Sequence, residues 1–594
     1  MVTSESSVAI VARNLSQAAS LFYRERVEIT FLGQAGMFIE TKHGSILCDP
    51  WFNAAYFASW FPFPSNEDVD RWKLARPTYL YISHLHRDHF DPDFLRAHVS
   101  KDTTVLLPDF GVDALERELR DIGFTKFIKT KNGETMDLHG LRVAVLAMVT
   151  PMDGPIGDSA LLVDDGETRV FNQNDSRPID WDAIKAFGPF DVHFVQFSGA
   201  IWFPMVYDYT PEKKAEIGRK KRANQMARAL EFVRQVGARH VVPSAGPPCF
   251  LDDALFAFND IDSDPSNPFP DQPTFLDYMK SEGANNGVLM IPDTVATFAG
   301  GTCKVRHAMP DDEVASIFRH KRAYLARYKA RQQPVIDKVM GSLPRGQVDV
   351  LASLRAWFEP LLAMADYTCI GVNARVLLDC GDPKVLIDFQ RREVKAWDGS
   401  DCDYVFRVDR GLVESCIVNH EEDWVNTLFL SCRFEATRKG PFNEYVYNFF
   451  KCLSPARMRW AESCYAEKAP IDQLMEIDGH VVQRRCPHLK VDLTKFGVVE
   501  NGVLTCRLHG WQFELATGKC LTSEGHRLYS RPSEKKEGDE DLQIAATCAD
   551  GAESGTLRTS RRKRGLAVFE PVDGDPPCAV ATATIADEKK RAAG

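Results

Sequence analysis

The chain has 594 residues, too many for one hydrophobic core, and at one domain per roughly 100–200 residues about three or four domains are expected. Its 44% apolar and 26% charged residues exclude wholesale disorder, and a formal net charge of −11 argues against nucleic acid as a bulk electrostatic partner. No apolar run approaches the roughly eighteen residues that span a bilayer, and the first residues lack the charged-then-apolar layout of a signal peptide, so a cytoplasmic protein with no membrane partner is expected.

In chain order, Val27, Ile29 and Phe31 alternate with polar residues and lead through Gly33 and Gly36 into a second strand around Met37 and Ile39. Short β-rich runs follow at residues 45–48, 79–82, 104–107, 141–149, 160–163 and 192–197, interleaved with helical stretches, which predicts a mixed α/β sheet domain over residues 1–308. One helix is well marked: Thr210 can cap it, Pro211 suits its first turn, Met226, Leu230 and Val233 share a face, and Gly237 can end it before a strand at 240–243. From about Pro310 long charged helices give way to alternating strands such as Tyr404, Phe406 and Val408, predicting an α+β domain over 309–464 that closes on one helical run from Pro441 to about Cys464. After Pro470 new short strands begin an all-β segment, 465–547, and beyond Cys548 a Gly-, Ala-, Ser-, Thr-, Pro- and charge-rich stretch, 548–594, reads as a mobile tail. The 15 cysteines are scattered, so most are expected to be reduced and buried, with a minority binding metal.

Two constellations carry chemistry. The first is S-H-L-H-R-D-H at 83–89, directly behind the apolar strand 79–82. A loop leaving a strand end can splay alternate side chains inward, so His84 and His86 can reach one metal ion while Asp88 and His89 reach a second or complete the first. Asp49, at the end of the strand 45–48, is placed to orient one of these histidines, and Asp175, in N-Q-N-D-S-R-P after a strand, fits a bridging carboxylate. The H-x-H-x-D-H pattern resembles that of metallo-β-lactamase-fold enzymes, which usually add a later histidine; where it would be expected, the chain has V-T-P-M-D-G-P-I-G-D-S, which offers Asp153 and Asp158 instead. Three histidines with one or two carboxylates lie closer to a non-haem iron site than to a two-zinc hydrolase, and Asp153 is one candidate ligand.

The second constellation is C-P-H at 486–488 and C-R-L-H-G-W at 506–511. Cys486, His488, Cys506 and His509 form a C-x-H and C-x-x-H pair of loops, the donor set of a Rieske [2Fe–2S] cluster with two thiolates on one iron and two imidazoles on the other. Neutral imidazoles raise the reduction potential relative to four thiolates, which suits an electron relay. Zinc fingers and ribbons prefer other spacings.

These motifs, with I-T-F-L-G-Q-A-G-M (29–37), C-D-P-W (48–51), F-S-G-A-I-W-F-P-M (197–205) and D-W-V-N-T-L-F-L-S-C-R-F (423–434), resemble the CMP-N-acetylneuraminate hydroxylase family. The resemblance implies a metallo-β-lactamase-like αββα sandwich, a sterol-carrier-like α+β middle domain and a Rieske domain, here placed last where that family has it first. It also implies a monooxygenase in which electrons from NAD(P)H pass through a separate reductase or ferredoxin- or cytochrome-type carrier to the cluster and then to one or two non-haem iron ions that activate O2. The family pattern has a histidine where this chain has Gly154. No G-x-G-x-x-G follows a strand, so the chain is expected to bind no NADH or flavin itself.

The leading expectation is a Rieske-coupled iron oxygenase acting on a small polar or nucleotide-linked molecule, by hydroxylation or N-oxygenation, with His84, His86, Asp88, His89 and Asp175 as its working residues. The alternative is a zinc-dependent hydrolase whose Rieske domain senses redox state. A homo-oligomer is an open expectation. The run Arg219, Lys220, Lys221, Arg222 reads as the solvated face of a helix, with contact to an anionic substrate as the second reading. Trp202, Phe203 and Pro204 read equally as pocket lining or core.

Overall fold

The computed structural model describes residues 26–148, 156–199, 201–466, 473–488, 491–508, 510–523 and 526–533, together with two short strands at 558–561 and 567–570. The chain forms two compact units, Met1–Lys468 and Ala469–Gly594.

The first unit opens with two facing sheets. Strands β1 (Val27–Gly33), β2 (Gly36–Thr41), β3 (Gly44–Cys48), β4 (Tyr79–Tyr81), β5 (Thr104–Leu107) and β6 (Phe127–Lys129) lie side by side, and β7 (Thr135–Leu138), β8 (Leu141–Met148), β9 (Asp158–Asp164), β10 (Arg169–Asn174), β11 (Val192–Gln196) and β12 (His240–Ser244) form a second sheet. The first sheet is completed at its outer edge by β13 (Val295–Ala299) and β14 (Thr302–Arg306), giving eight strands against six. Alternation puts Ile29, Phe31, Ile39, Ile46 and Tyr81 of one sheet against Val143, Leu161, Val170 and Phe194 of the other, a dry core between the layers. The opposite face of the first sheet is covered by helices Pro92–His98 and Ala114–Ile122, through Phe94, Leu95, Leu115 and Leu119. On the second sheet, helix Trp181–Phe187 and the 26-residue helix Pro211–Val236 stack Trp181 on Phe232. The αββα layering that the resemblance implies is therefore present.

The expected helix over the 210s forms as its local signals dictate: Thr210 accepts from Lys213 N, Pro211 occupies the first turn, and Gly237 ends the helix at φ 62°. Helices Asp311–Arg319 and Lys321–Gly341 bury Val314, Ile317, Leu325 and Tyr328 against Phe61, Phe63 and Cys249 of the sheet-bearing part.

A five-stranded sheet follows, with β15 (Arg375–Asp379), β16 (Val385–Asp388), β17 (Glu393–Ala396), β18 (Tyr404–Val408) and β19 (Phe434–Arg438) in the order β17-β16-β15-β18-β19. Its aromatic core, including Phe358, Phe406, Trp424, Phe429 and Phe450, continues into Trp51, Trp60, Trp202 and Phe250 of the preceding layers. Arg433 fixes the junction by pairing with Asp252 at 2.8 Å and donating to the carbonyls of Phe57 and Ala58. The single helical run expected from Pro441 to Cys464 is two helices, Glu444–Lys451 and Pro455–Ala466. Pro455 forces Ser454 out of helical geometry, and Leu453 N bonds instead to Glu422 O.

The second unit holds two three-stranded antiparallel sheets: β20 (Leu474–Ile477), β21 (His480–Gln483) and β25 (Ser530–Pro532) in one, β22 (Gly497–Glu500), β23 (Val503–Cys506) and β24 (Trp511–Glu514) in the other. Within the stretch expected to be a mobile tail, β26 (Arg558–Arg561) pairs with β27 (Ala567–Glu570); the rest of it lies outside the described residues.

Candidate metal and cluster sites

Strand β4 ends at Tyr81, parallel to β3, so the loop 83–89 leaves beside Asp49, the residue after β3. Asp49 adopts a positive φ of 42° and turns a fully buried carboxylate under this loop. Its Oδ1 accepts from Ser83 N at 2.7 Å, and its Oδ2 accepts from the Ser83 hydroxyl at 2.7 Å and faces His89 Nδ1 at 3.0 Å. Having donated to Asp49, Ser83 Oγ is an acceptor for His84 Nδ1 at 2.9 Å. Both rings thus have Nδ1 engaged, which leaves Nε2 as the outward nitrogen on each.

The outward ends converge. Ligand atoms of His84, His86 and Asp175 lie within 4.8 Å of one another, with His84 Nε2 2.7 Å from His86 Nδ1. Asp175 arrives from β10, whose last residue, Asn174, takes a positive φ of 42°. His89 Nε2 stands 3.5 Å from Asp175 Oδ1 and 3.7 Å from Asp88 Oδ2. Asp88 is held from the other side: Gln34 Nε2 donates to its Oδ2 at 2.8 Å and the Tyr56 hydroxyl to its Oδ1 at 2.7 Å. The loop therefore gathers His84, His86 and Asp175 into one donor set and places His89 and Asp88 beside it. Asp153 and Gly154 lie outside the described residues.

The electrostatics are those of a cation site. Burial, with neighbouring His89 and His86, drives His84 well below the ordinary imidazole range. Burial also lowers His86 against the pull of Asp88, Asp175 and Asp423. Burial alone would lower His89 as well, but Asp175 and Asp88, with bonding to Asp175 and Asp49, carry it well above its usual value. For Asp175 the cost of burial is outweighed by His89, His86 and Gln196, which hold it low. His89 Nε2 and Asp175 Oδ1 are nonetheless buried without a completed hydrogen bond. Two carboxylates facing imidazole nitrogens with orphaned polar atoms between them fit a bound metal ion.

The middle sheet's neighbourhood reaches this loop. A cavity of about 290 Å³ is bounded by Leu85 and Arg87 of the loop, Glu118 of the helix behind it, and Glu421, Asp423 and Arg457. Gln34, Tyr56 and Asp423 had no counterpart in the sequence reading. Gln34 sits in the quoted I-T-F-L-G-Q-A-G-M stretch and Asp423 opens the quoted D-W-V-N-T-L-F-L-S-C-R-F stretch, whereas Tyr56 lies in neither. Trp202 is core, 7% exposed, and Phe203 packs against the same core. The run at 219–222 divides: Arg219 and Lys220 are exposed as expected, but Arg222 is buried in an ion pair with Asp260 at 2.9 Å, and Lys221 Nζ donates to Phe203 O at 2.9 Å. A helix that packs on two sides cannot present four successive residues to water.

In the second unit, Cys486 follows β21 and Cys506 ends β23, both fully buried. His488 is 8% exposed and its ring stacks on Trp511, centroids 4.0 Å apart and planes 13° from parallel. Gly510, at φ 73°, donates its N–H to Cys506 O at 2.7 Å and so closes the second loop. His509 lies outside the described residues. Buried thiolates and imidazole on two loop ends are the donor chemistry of a [2Fe–2S] cluster of Rieske type.

Comparison with known proteins agrees with this architecture. A β-lactamase superfamily domain model matches residues 45–244, an Rv3818-like, SCP2-like domain 350–467, and a Rieske [2Fe-2S] domain 472–530. The Rieske 2Fe-2S iron-sulfur protein Rv3818 of Mycobacterium tuberculosis is 48% identical over 514 residues, covering 85% of this chain and 99% of that protein. A counterpart from Mycolicibacterium smegmatis is 47% identical over 516 residues, covering 84% and 99%. Among solved structures, the metallo hydrolase Igni18 from Ignicoccus hospitalis aligns at 18% identity and TM-score 0.32, over 46% of this chain and 98% of its own. The diiron β-hydroxylase CmlA from Streptomyces venezuelae aligns at 20% identity and TM-score 0.32, over 46% and 54%. At such scores neither likeness speaks to the reaction. A Rieske domain carries electrons through its 2Fe-2S cluster, and no described helix is long and apolar enough to cross a membrane. With nearly the whole of a 48%-identical relative aligned, the chain belongs to the family of the mycobacterial Rieske 2Fe-2S iron-sulfur protein Rv3818.

Proposed function

We propose that this protein is a Rieske-coupled non-haem iron oxygenase that hydroxylates or N-oxygenates a small polar or nucleotide-linked molecule. The observation that carries the reading is the two-histidine, one-carboxylate set of buried His84 with half-buried His86 and Asp175, in a chain that also has a Rieske domain. Two imidazoles and a carboxylate with further positions open favour non-haem iron, whereas hydrolysis requires no electrons and would leave the relay unused. The resemblance to CMP-N-acetylneuraminate hydroxylases supports the same wiring.

Non-haem iron held by this set, one ion or two, would supply O2 activation, and the Rieske cluster would relay electrons from NAD(P)H by way of a separate reductase or small electron carrier. The chain's own groups do the rest. Asp49 and Ser83 fix the ring orientations of His89 and His84. Tyr56 and Gln34 hold Asp88 next to His89 Nε2, where that pair can keep or release a proton at the edge of the site.

The test is anaerobic purification with iron and zinc measured per chain and an EPR spectrum after dithionite reduction, for wild type and His84→Ala. About three or four irons, little zinc, a Rieske signal, and loss of only the extra iron in the variant support the oxygenase. Zinc filling the second site under iron-replete conditions would instead support the hydrolase reading, with the cluster as a redox sensor.

A further inference from the structure

Strands β10 and β11 run parallel, with Asn174 opposite Val195, so the segments that follow them leave from the same end of the sheet. The first carries Asp175 and, two positions on, Arg177. The second carries Phe203, whose carbonyl receives Lys221 Nζ from the long helix. Seven residues along that helix, on the same face, stands Arg228. Helical geometry makes 221, 225 and 228 neighbours on one side, and Gln225 between them is buried and bonded to Pro268 O. Arg177 stands close enough to lower the charge state of both Lys221 and Arg228, so the three gather beyond the strand ends, near the segment that carries Asp175.

What is unusual is the lack of a counter-charge among the described residues. Arg177 and Arg228 form no ion pair and no side-chain hydrogen bond among the described residues, and Lys221 has only the Phe203 carbonyl and the Phe269 ring, 5.7 Å from its nitrogen. All three residues are partly accessible, and burial is the main influence on the charges of Lys221 and Arg228. Burial pushes Lys221 down to about 7, helped by Arg228 and Arg177 and opposed only by the Cys432 thiol. Burial, then Arg177, holds Arg228 well below its ordinary value. No described carboxylate figures among these influences. Partly buried cations without a counter-charge are costly, and such a group held close together is stabilised by an anion that arrives from outside.

We infer that Arg177, Lys221 and Arg228 form a pocket for the phosphate ester group of the substrate, beside the Asp175 end of the metal site. Two guanidinium forks and an ammonium match a phosphate dianion in charge and in donor number better than a single carboxylate. This rests on the oxygenase reading for the word substrate, but the pocket's occupancy is measured without turnover and without the second metal.

The experiment is calorimetric titration of the full chain, cluster in place, with inorganic phosphate and with phenyl phosphate at constant ionic strength. Both are expected to bind saturably at one site, and Arg228→Gln is expected to weaken both by about 10-fold or more, with Arg228→Lys restoring much of the loss. Arg219→Gln, exposed on the same helix, is expected to leave both unchanged. Should Arg228→Gln fail to fold, the wild type still decides: limiting acetic anhydride at neutral pH is expected to label Lys221, and phosphate to protect it by mass spectrometry. No saturable binding, equal binding to Arg228→Gln, or binding of inorganic phosphate with exclusion of the ester would each overturn the proposal. If iron is absent from the second site while phosphate esters bind here, the oxygenase reading fails and the pocket stands.

Discussion

Asp49 Oδ2 stands 3.0 Å from His89 Nδ1, with both side chains fully buried, and the same oxygen receives the Ser83 hydroxyl at 2.7 Å. One carboxylate therefore sets two rings, His89 directly and His84 through Ser83. Asp49→Asn keeps the shape but replaces one acceptor oxygen with a donor, which conflicts either with Ser83 N–H or with the hydroxyl and His89. Metal affinity at the second site is expected to fall about 10–100-fold, read by competition against a chelator. Unchanged affinity would mean that Asp49 only closes the turn after β3.

Asp175 and Asp88 should behave differently although both are carboxylates beside His89. Asp175 belongs to the converging donor set and keeps one buried oxygen without a hydrogen bond, whereas both oxygens of Asp88 are already taken by Gln34 and Tyr56. Asp175→Asn is expected to lose the second-site metal on purification while the Rieske EPR signal persists. Tyr56→Phe is expected to retain that metal with affinity within a few-fold of wild type, because removing one hydrogen bond to a charged group costs about 1.5–3 kcal/mol at Asp88 without deleting a donor to the metal. Metal loss in both variants alike would mean that Asp88 is itself a ligand.

The parts of this site that could be read from the sequence are those whose geometry is local. His84, His86 and His89 share a loop of seven residues behind one strand, so their spacing alone announces convergence. The long helix was equally legible, because Thr210, Pro211 and Gly237 act within one turn of its ends. Gln34 and Tyr56 were not, since they meet Asp88 across 54 and 32 residues and no periodicity encodes such a meeting. The basic run misled for a related reason: which of Arg219 to Arg222 faces inward depends on the loop carrying Asp260 and Ser266, which only the folded chain brings alongside. The Rieske domain was legible because C-P-H and C-R-L-H-G-W are each contiguous in sequence, and local backbone bonds, Cys486 N to Val491 O and Gly510 N to Cys506 O, bracket the two stretches.

That same loop yields a stability prediction. A Cβ on Gly218 would overlap the Ser266 carbonyl oxygen, a backbone atom that cannot rotate away. Gly218→Ala should therefore destabilise by about 1–3 kcal/mol despite the better helix propensity of alanine, lowering the thermal midpoint. Gly341, at the end of helix Lys321–Gly341 with nothing near its would-be Cβ, is the control: Gly341→Ala should be neutral or slightly stabilising. A neutral Gly218→Ala would show that the segment around Ser266 yields to the helix.

Lys221 gives the pH dependence. Its amine titrates near 10.5 in the unfolded chain and at about 7 in the fold, where burial is the main cause, aided by Arg228 and Arg177 against Cys432. Between these values the unfolded state binds more protons, so stability rises with pH across that window; below about 7 the charged amine's full penalty is present. Lys221→Met should then be more stable than wild type at pH 6, by on the order of 1 kcal/mol or more, with the difference shrinking as pH approaches 10. Sulfate, whose charge does not change over this range, should narrow the gap at pH 6 by stabilising wild type more than Lys221→Met, and this selective gain should fade as the amine loses its proton above pH 7. General stabilisation by sulfate acts on both proteins and cancels in the difference. A gap that is constant from pH 6 to pH 10, with or without sulfate, would show that Lys221 is charged and solvated throughout, and would remove the desolvated cation from which anion binding was inferred.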